Sequence, residues 1–222
     1  MRLLFIVATI AIATLVGCAT PPVERPPATT PEVRSCCRSG ELAPSRSAIV
    51  RTAVKLVDAR TITSKGRPIA YDCAGVTRAI YLEHGIDLYD GGARDPQANG
   101  VRIIYTHVQQ HGRFHHGPVA HPGDLVFFDN TWDFNGDGQL NDPLTHVGVV
   151  ERVEPDGTVI FISRVADAVE RYRMNLAQPH VHKTAEGRVL NDYIRRKLPT
   201  DPVGIHRLTG QLFSSYGTRL DP

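Results

Sequence analysis

The chain has 222 residues, enough for one domain with additional segments or for two small domains. Hydrophobic residues make up 41% and charged residues 22%, which excludes a fully disordered or collagen-like chain. The net charge of +2 is too balanced for a protein that binds nucleic acid by electrostatic attraction, and four cysteines are too few for a disulfide scaffold.

The chain begins with a short apolar run behind Arg2, which is typical of a secretory signal peptide and too short for a stable membrane span. The run ends in Leu15-Val16-Gly17-Cys18, which resembles the lipobox of bacterial lipoproteins. The resemblance implies a removed signal over 1–17 and a lipid on Cys18. Because Ala19 follows, it also implies the outer membrane, facing the periplasm. The alternative is an ordinary signal peptide in which Cys18 is incidental.

Six prolines lie in the next segment, residues 18–44, with threonine and arginine between them and almost no large apolar residues. Such a segment cannot bury enough apolar surface to fold. We expect a lipidated tether with a reach of roughly 30–80 Å. Cys36 and Cys37 lie inside it, and no function is assigned to this pair.

The pattern of a folded domain begins at residue 45. Apolar residues at helical spacing predict a helix over Ser45–Asp58, with Ser45 or Ser47 as N-cap. Asp72 is a suitable N-cap for a second helix over Cys73–His84. A third helix is predicted over Asn99–His111, where apolar residues again follow the helical period.

Strands follow the helices. Asp124–Asp129 and His146–Val153 predict buried strands, and the turn Glu154–Gly157 joins the second to a strand over Thr158–Ser163. A further strand is predicted near Val169–Met174. Helices first and antiparallel strands afterwards predict an α+β domain.

The domain is predicted to span 45–222, with a core over 45–175. Residues 176–222 carry mixed signals and are interpreted as a C-terminal extension.

Cys73 and His146 are the candidate catalytic residues. Cys73 lies at a predicted helix N-terminus, where free backbone N–H groups and the helix dipole favour a thiolate. His146 begins a strand, and a cysteine on a helix facing a histidine on a sheet is the arrangement of papain. The alternative is that Cys73 is a small buried side chain and His146 one of ten histidines.

Three motifs carry a family resemblance over residues 45–163. The stretch YDCAGV at 71–76 resembles the D-C-S-G-[FV] box of NlpC-type cell-wall cysteine peptidases. The stretches HPGDLVFF at 121–128 and THVGVV at 145–150 are similar to two strands of that family and occur in its order.

The resemblance implies a papain-like fold, with N-terminal helices packed on an antiparallel sheet. It also implies hydrolysis of peptide bonds in peptidoglycan stem peptides, often beside D-glutamate and diaminopimelate. Cys73 would attack the carbonyl, with its backbone N–H as an oxyanion donor. His146 would hold the thiolate and protonate the leaving amine. No cofactor is required for this chemistry, and we expect a monomer whose partner is peptidoglycan.

The sequence departs from the family at three places. Ala74 replaces a serine, and RTIT at 60–63 replaces an upstream tyrosine–glycine stretch. Ser163 occupies the position of the third polar residue, usually a histidine. Its hydroxyl could accept the imidazole N–H and fix the tautomer of His146, or another group could orient the ring. These departures keep open an inactive relative that binds peptidoglycan or a partner, and an amidase or acyl transferase.

A second signal lies between the motif strands, where DFNGDGQLND at 133–142 matches the first part of a calcium loop. Leu144 occupies the position of the closing glutamate, for which Asp142 could substitute. Bound calcium would hold the start of the strand that carries His146. The alternative is a solvated loop that makes its own Asx turns. The predicted ligands are Asp133, Asn135, Asp137, Gln139 and Asp142.

Histidines are concentrated between the third helix and the first buried strand, at His111, His115, His116 and His121. Zinc is one interpretation, but no second cluster with ligand spacing accompanies them. A basic, solvated loop near the cleft is the interpretation that we favour at this point.

Overall fold

The structure is a computed structural model that describes residues 44–91, 99–199 and 201–220. The predicted signal peptide, Cys18, Cys36, Cys37 and the tether up to residue 43 lie outside the described residues. The helices are α1 Arg46–Lys55, α2 Cys73–Leu82, α3 Gly100–His111 and α4 Thr209–Leu212. The strands are β1 Thr63–Ser64, β2 Arg67–Pro68, β3 Arg113–His115, β4 Leu125–Phe128, β5 His146–Val153, β6 Val159–Val165, β7 Ala168–Met174 and β8 Phe213–Thr218.

The first three helices begin where the sequence predicts. Ser45, Asp72 and Asn99 each accept, through a side-chain oxygen, the backbone N–H of the residue three positions later. These bonds satisfy N–H groups that have no partner inside the helix. Helix α2 ends at Leu82, slightly before the predicted end, because the chain turns at Gly85 with a φ of +80°.

Six strands form one antiparallel sheet in the order β3-β8-β4-β5-β6-β7. The four strands predicted from the sequence are β4 to β7, and they lie side by side. Strand β6 continues past Ser163 to Val165, where it turns into β7. The short strands β1, β2 and β3 were not predicted.

Strand β8 comes from the stretch that the sequence analysis treated as an extension. It lies between β3 and β4, and Tyr216 pairs with His115 on one side and Val126 on the other. Residues after 175 therefore complete the sheet. The sequence did not show this because the partners of β8 lie far away along the chain.

The sheet is buried on both faces. Helices α1 to α3 cover one face, against side chains such as Leu125, Phe127, Val147, Val149 and Ile162. Ile194 and Leu212, from the C-terminal stretch, help to cover the other face, against Val126, Phe128 and Phe161. Fully burying a side chain of this size contributes about 1.5–3 kcal/mol. Both faces are therefore needed for the fold, and the predicted α+β class is confirmed.

No helix in the described part of the chain is both long enough and apolar enough to cross a membrane.

Candidate active site

Cys73 is the first residue of α2, and its thiol is free and half-buried. Asp72 fixes this end of the helix, since its carboxylate accepts the Gly75 N–H at 2.7 Å. Gly75 allows the close approach of the preceding chain, because a Cβ there would overlap the carbonyl oxygen of Ala70. The D-C-x-G pattern therefore has a local physical reason: a cap, a thiol and a residue without a side chain.

The sulfur of Cys73 is surrounded by backbone donors. The backbone N–H groups of Val147, Ala74 and Cys73 itself lie near it and lower its pKa. Burial has the larger, opposite effect and, with the nearby Asp72 carboxylate, raises the pKa of the thiol to about 11. The prediction that the helix N-terminus favours a thiolate is therefore wrong for this state of the protein, because the loss of hydration outweighs the helix end.

His146 is buried at the start of β5, and Ser163 is fully buried on the neighbouring strand β6. The Ser163 Oγ lies 2.8 Å from the His146 Nε2 and donates its own proton to the carbonyl of Val147 at 2.7 Å. Since the hydroxyl has one proton, its oxygen accepts from Nε2–H. This bond leaves Nδ1 as the unprotonated ring nitrogen that can take a proton.

The His146 ring is uncharged. Burial, together with the positive charge of Arg164, lowers its pKa to about 3. No hydrogen bond joins the Cys73 thiol to the His146 ring, although both residues lie in the described part of the chain. The two residues are nevertheless close, since the backbone N–H of Val147, the residue after His146, lies near the Cys73 sulfur. The structure thus holds a neutral thiol and a neutral imidazole on one cleft.

For the stem-peptide hydrolysis that the family resemblance implies, Ser163→Ala should lower kcat/KM by about tenfold to a hundredfold. The substitution leaves the Nε2–H of His146 buried without an acceptor, and an unpaired buried donor costs about 1–3 kcal/mol. The proton is then no longer held on Nε2, so Nδ1 is not kept free to act as the base. Steady-state kinetics on a peptidoglycan stem peptide should show the loss in kcat rather than in KM. Ser215→Ala is the matched control, because Ser215 is a buried strand serine whose hydroxyl has no partner among the described residues. An equal loss in both variants would contradict a positioning role for Ser163.

The raised pKa of Cys73 predicts that only ~10⁻⁴ of the thiol is ionised at pH 7. Thiolates absorb in the far ultraviolet, so the difference spectrum between the protein and Cys73→Ser reports on this group alone among the four cysteines. The difference should be absent at neutral pH and grow as the pH rises toward 11. A plateau already present at pH 7 would contradict the neutral pair and indicate a thiolate–imidazolium pair.

The segment before β5 is anchored at several points, which fixes the position of His146. The Thr145 Oγ1 accepts from the Thr131 backbone N–H at 2.9 Å, and its carbonyl accepts from the Trp132 indole at 3.3 Å. Asn99 donates to the Leu144 carbonyl at 3.1 Å. Trp132 is half exposed and lines the cleft, a feature that the sequence analysis did not select.

A cleft of about 810 Å³ opens at Cys73 and His146, and its wall is strongly basic. Asp72 and Asp167 are its acidic residues, and Arg195 is held by Asp201 at 3.3 Å. The basic lining residues are Arg164, Arg195, Arg196, Lys197 and Arg207.

Most of these charges come from the C-terminal stretch that the sequence analysis left unplaced. Arg196 and Lys197 are exposed, and the Arg207 guanidinium lies 4.7 Å from the ring centre of Tyr193. In the sequence, the run Arg195-Arg196-Lys197 is the pattern from which a basic surface could have been predicted. Its position at the cleft depends on the fold, because about thirty residues separate it from the end of β6.

The predicted calcium loop, residues 133–142, forms turns stabilised by its own backbone. Asp133 accepts the N–H groups of Gly136 and Gly138, each at 2.8 Å, and Asp137 accepts the N–H of Gln139 at 2.8 Å. Asp142 closes the loop, since its Oδ1 accepts the Asn135 N–H at 3.2 Å. The Asp142 Oδ2 is buried without a partner among the described residues.

A carboxylate has about four lone-pair sites, so these bonds leave acceptor capacity for a cation. Calcium at Asp133, Asn135, Asp137, Gln139 and Asp142 stays a prediction, which calorimetry with Ca²⁺ would test.

The histidine-rich stretch is not near the cleft, contrary to our expectation. None of His111, His115, His116 and His121 lines it. His115 and His121 instead face the buried Asp124. The expectation failed because β3 and the turn before β4 lie at the end of the sheet opposite His146.

Comparison with models of known protein families gives no match, and a search of curated proteins finds none with significant similarity.

Proposed function

We propose that the protein is a cysteine hydrolase of the NlpC type that cleaves peptide bonds in peptidoglycan stem peptides. The observation that carries the proposal is that Cys73 and His146 line one cleft, while the fully buried Ser163 hydrogen-bonds to the His146 ring. The thiol lies at a helix N-terminus, and the imidazole lies on an antiparallel sheet with its far nitrogen held by a buried acceptor. A nucleophile, a base and a group that orients the base are the parts that covalent hydrolysis requires.

The neutral pair favours general-base attack over a preformed thiolate. Cys73 Sγ would bond to the substrate carbonyl carbon while its proton passes to His146 Nδ1. The Cys73 N–H, at the start of α2, would stabilise the oxyanion. As the intermediate collapses, the C–N bond breaks and the imidazolium gives its proton to the leaving amine. Water, losing a proton to His146, would then attack the thioester, and the thiol would be restored as the acid product leaves.

The basic wall of the cleft suits a substrate rich in carboxylates. Arg164, Arg196, Lys197 and Arg207 face the cleft, whereas two carboxylates line it. Stem peptides carry free carboxyl groups on D-glutamate and diaminopimelate, and a bond between these residues would place negative charge on both sides of the thiol. This charge match supports stem peptides over neutral or basic peptides.

The proposed location follows from the sequence. A lipid on Cys18 would anchor the protein in the bacterial envelope, with the outer membrane proposed from Ala19. The proline-rich tether over 18–44 would then let the domain reach the peptidoglycan layer.

A peptidoglycan-binding module is the second candidate. It is favoured by the high pKa of the Cys73 thiol and by the missing hydrogen bond between Cys73 and His146 in the described part of the chain. An amidase or acyl transferase would use the same residues on another bond or with another acceptor. Apo active sites often tighten only when substrate binds, so the geometry is compatible with turnover.

Mass spectrometry of muropeptides incubated with the purified protein separates these functions. The proposed hydrolase yields two fragments whose masses add up to the substrate plus water, with a new amine inside the stem peptide. An amidase separates the whole stem from the glycan, and a transferase joins the acyl fragment to an added amine. Retention on intact peptidoglycan without any new fragment would contradict the hydrolase and support the binding module.

A further inference from the structure

The start of β4 gathers two histidines around a buried carboxylate, at a place that the proposed catalysis does not use. His115 ends β3, His121 lies in the turn before β4, and Asp124 immediately precedes β4. Asp124 is fully buried, whereas the side chains of His115 and His121 are 31% and 58% exposed. We infer that these three residues bind a zinc ion.

The spacing of the donor atoms fits tetrahedral zinc. The Asp124 Oδ2 lies 3.4 Å from the His115 Nε2 and 3.5 Å from the His121 Nδ1, and the three donor atoms all lie within 4.8 Å of one another. Zinc bonds of about 2.0–2.1 Å in a tetrahedron place neighbouring ligand atoms roughly 3.3–3.4 Å apart. The two distances to Asp124 therefore match two edges of a coordination tetrahedron. Two imidazoles and a carboxylate are a zinc ligand set with the fourth position open to solvent.

The carboxylate is held in a position suited to a ligand. Its Oδ1 accepts from the Arg46 guanidinium at 2.7 Å, and Arg46 is itself bonded to the Pro122 carbonyl and the Thr218 hydroxyl, each at 3.2 Å. The Oδ2 that faces the two imidazoles accepts the backbone N–H of His121 at 2.9 Å. Partners of this kind orient ligating carboxylates in metal sites.

A buried tyrosine beside the triad supplies an independent observation. Tyr216 is fully buried, and its ring stacks on the His115 ring with the centres 5.0 Å apart. Its hydroxyl has no hydrogen-bond partner among the described residues. A buried tyrosine hydroxyl without a partner can still donate a hydrogen bond to a group bound beside it.

The zinc site is separate from the cleft. Phe128, at the end of β4, pairs with His146. Asp124 lies four residues before Phe128, at the other end of β4. At 3.3 Å per residue, this separation is about 13 Å. At this distance the metal would take no part in the chemistry at Cys73, and it would link the edge strand β3 to β4 and, through Arg46, to α1.

Titration calorimetry on the chelator-treated protein with ZnCl₂ tests the site, together with visible spectroscopy of the Co²⁺-loaded protein. We expect one zinc per chain, Co²⁺ bands without thiolate charge transfer, and a melting temperature that rises with zinc. His121→Ala should weaken zinc binding by at least about 100-fold. Removing even a residue that only hydrogen-bonds to a metal ligand typically lowers metal affinity 10–100-fold, and His121 is a ligand itself. His121 is largely exposed, so this variant should fold.

The matched control is His116→Ala, because His116 neighbours the triad and bonds instead to the Ser214 carbonyl at 3.1 Å. It should bind zinc with the affinity of the parent protein. Absence of saturable zinc binding would overturn the inference. Binding that His121→Ala and His115→Ala leave unchanged, or Co²⁺ spectra with thiolate charge transfer, would also overturn it by placing the metal elsewhere.

Discussion

Cys73→Ala should lower kcat/KM for a stem peptide by at least about 10⁴-fold, because in the proposed mechanism the sulfur forms the covalent bond on which both half-reactions depend. His146→Ala should cause a loss of similar size, since the proposed mechanism passes the thiol proton to His146. The double variant should be no worse than either single one, because the two residues act as a unit. Fragment release followed by mass spectrometry measures all three.

Two controls make this prediction specific. Cys36→Ala removes another of the four cysteines and should keep the parent rate. Circular dichroism at the assay temperature should show the Cys73 and His146 variants folded, so that lost activity is not lost folding. Cleavage that persists in Cys73→Ala would contradict the assignment of Cys73 as nucleophile.

Gly75→Ala should destabilise the protein by about 3 kcal/mol and remove most of the proposed hydrolase activity. The new Cβ would overlap the Ala70 carbonyl oxygen, which is backbone and cannot move aside alone. Alanine is favoured over glycine in a helix by only about 1 kcal/mol, so the steric overlap outweighs this gain and the substitution lowers the stability of the protein. Relief of the clash must shift the start of α2, which carries Cys73. For a domain of this size, the melting temperature should fall by roughly 6–12 °C.

The matched control is Gly117→Ala. Gly117 has no atom within 4 Å of a Cβ built on it and has no left-handed φ, so alanine is accommodated. Thermal unfolding followed by circular dichroism measures both variants. Equal melting temperatures for Gly75→Ala and the parent protein would show that the close approach at Ala70 does not constrain the helix.

The elements that the sequence predicted well are those whose signals are local. Ser45, Asp72 and Asn99 lie directly before apolar residues at helical spacing, and each caps its helix in the structure. The β5 and β6 strands are apolar runs joined by a Pro-Asp-Gly turn, and they pair as predicted. In each case the information lies within a few residues.

Features that depend on distant residues could not be predicted. Strand β8 reads FSSYGT, with weak alternation, and its partners in β3 and β4 lie about 85 to 105 residues earlier. The pairing also brings Tyr216 beside His115. The basic wall of the cleft and the pair of Asp124 with His115 depend on the same long-range assembly.

The candidate catalytic residues were chosen from motifs, whereas their electrostatics required the fold. The hydrogen bond between Ser163 and His146 agrees with the role considered for that serine. The pKa of Cys73 went in the opposite direction from the local expectation. The start of the helix is visible in the sequence. The burial of the thiol comes from β5 and its neighbours, so its effect on the pKa could not be predicted from the residues next to Cys73.

The most direct test of the proposed function is labelling by a stem peptide in which an electrophilic vinyl sulfone replaces the scissile amide. Peptide mapping by mass spectrometry should find the adduct on Cys73 alone. Labelling should slow in His146→Ala and be suppressed by an excess of unmodified stem peptide. An unlabelled Cys73, or labelling that the stem peptide does not suppress, would contradict a cysteine hydrolase whose cleft accepts peptidoglycan stems.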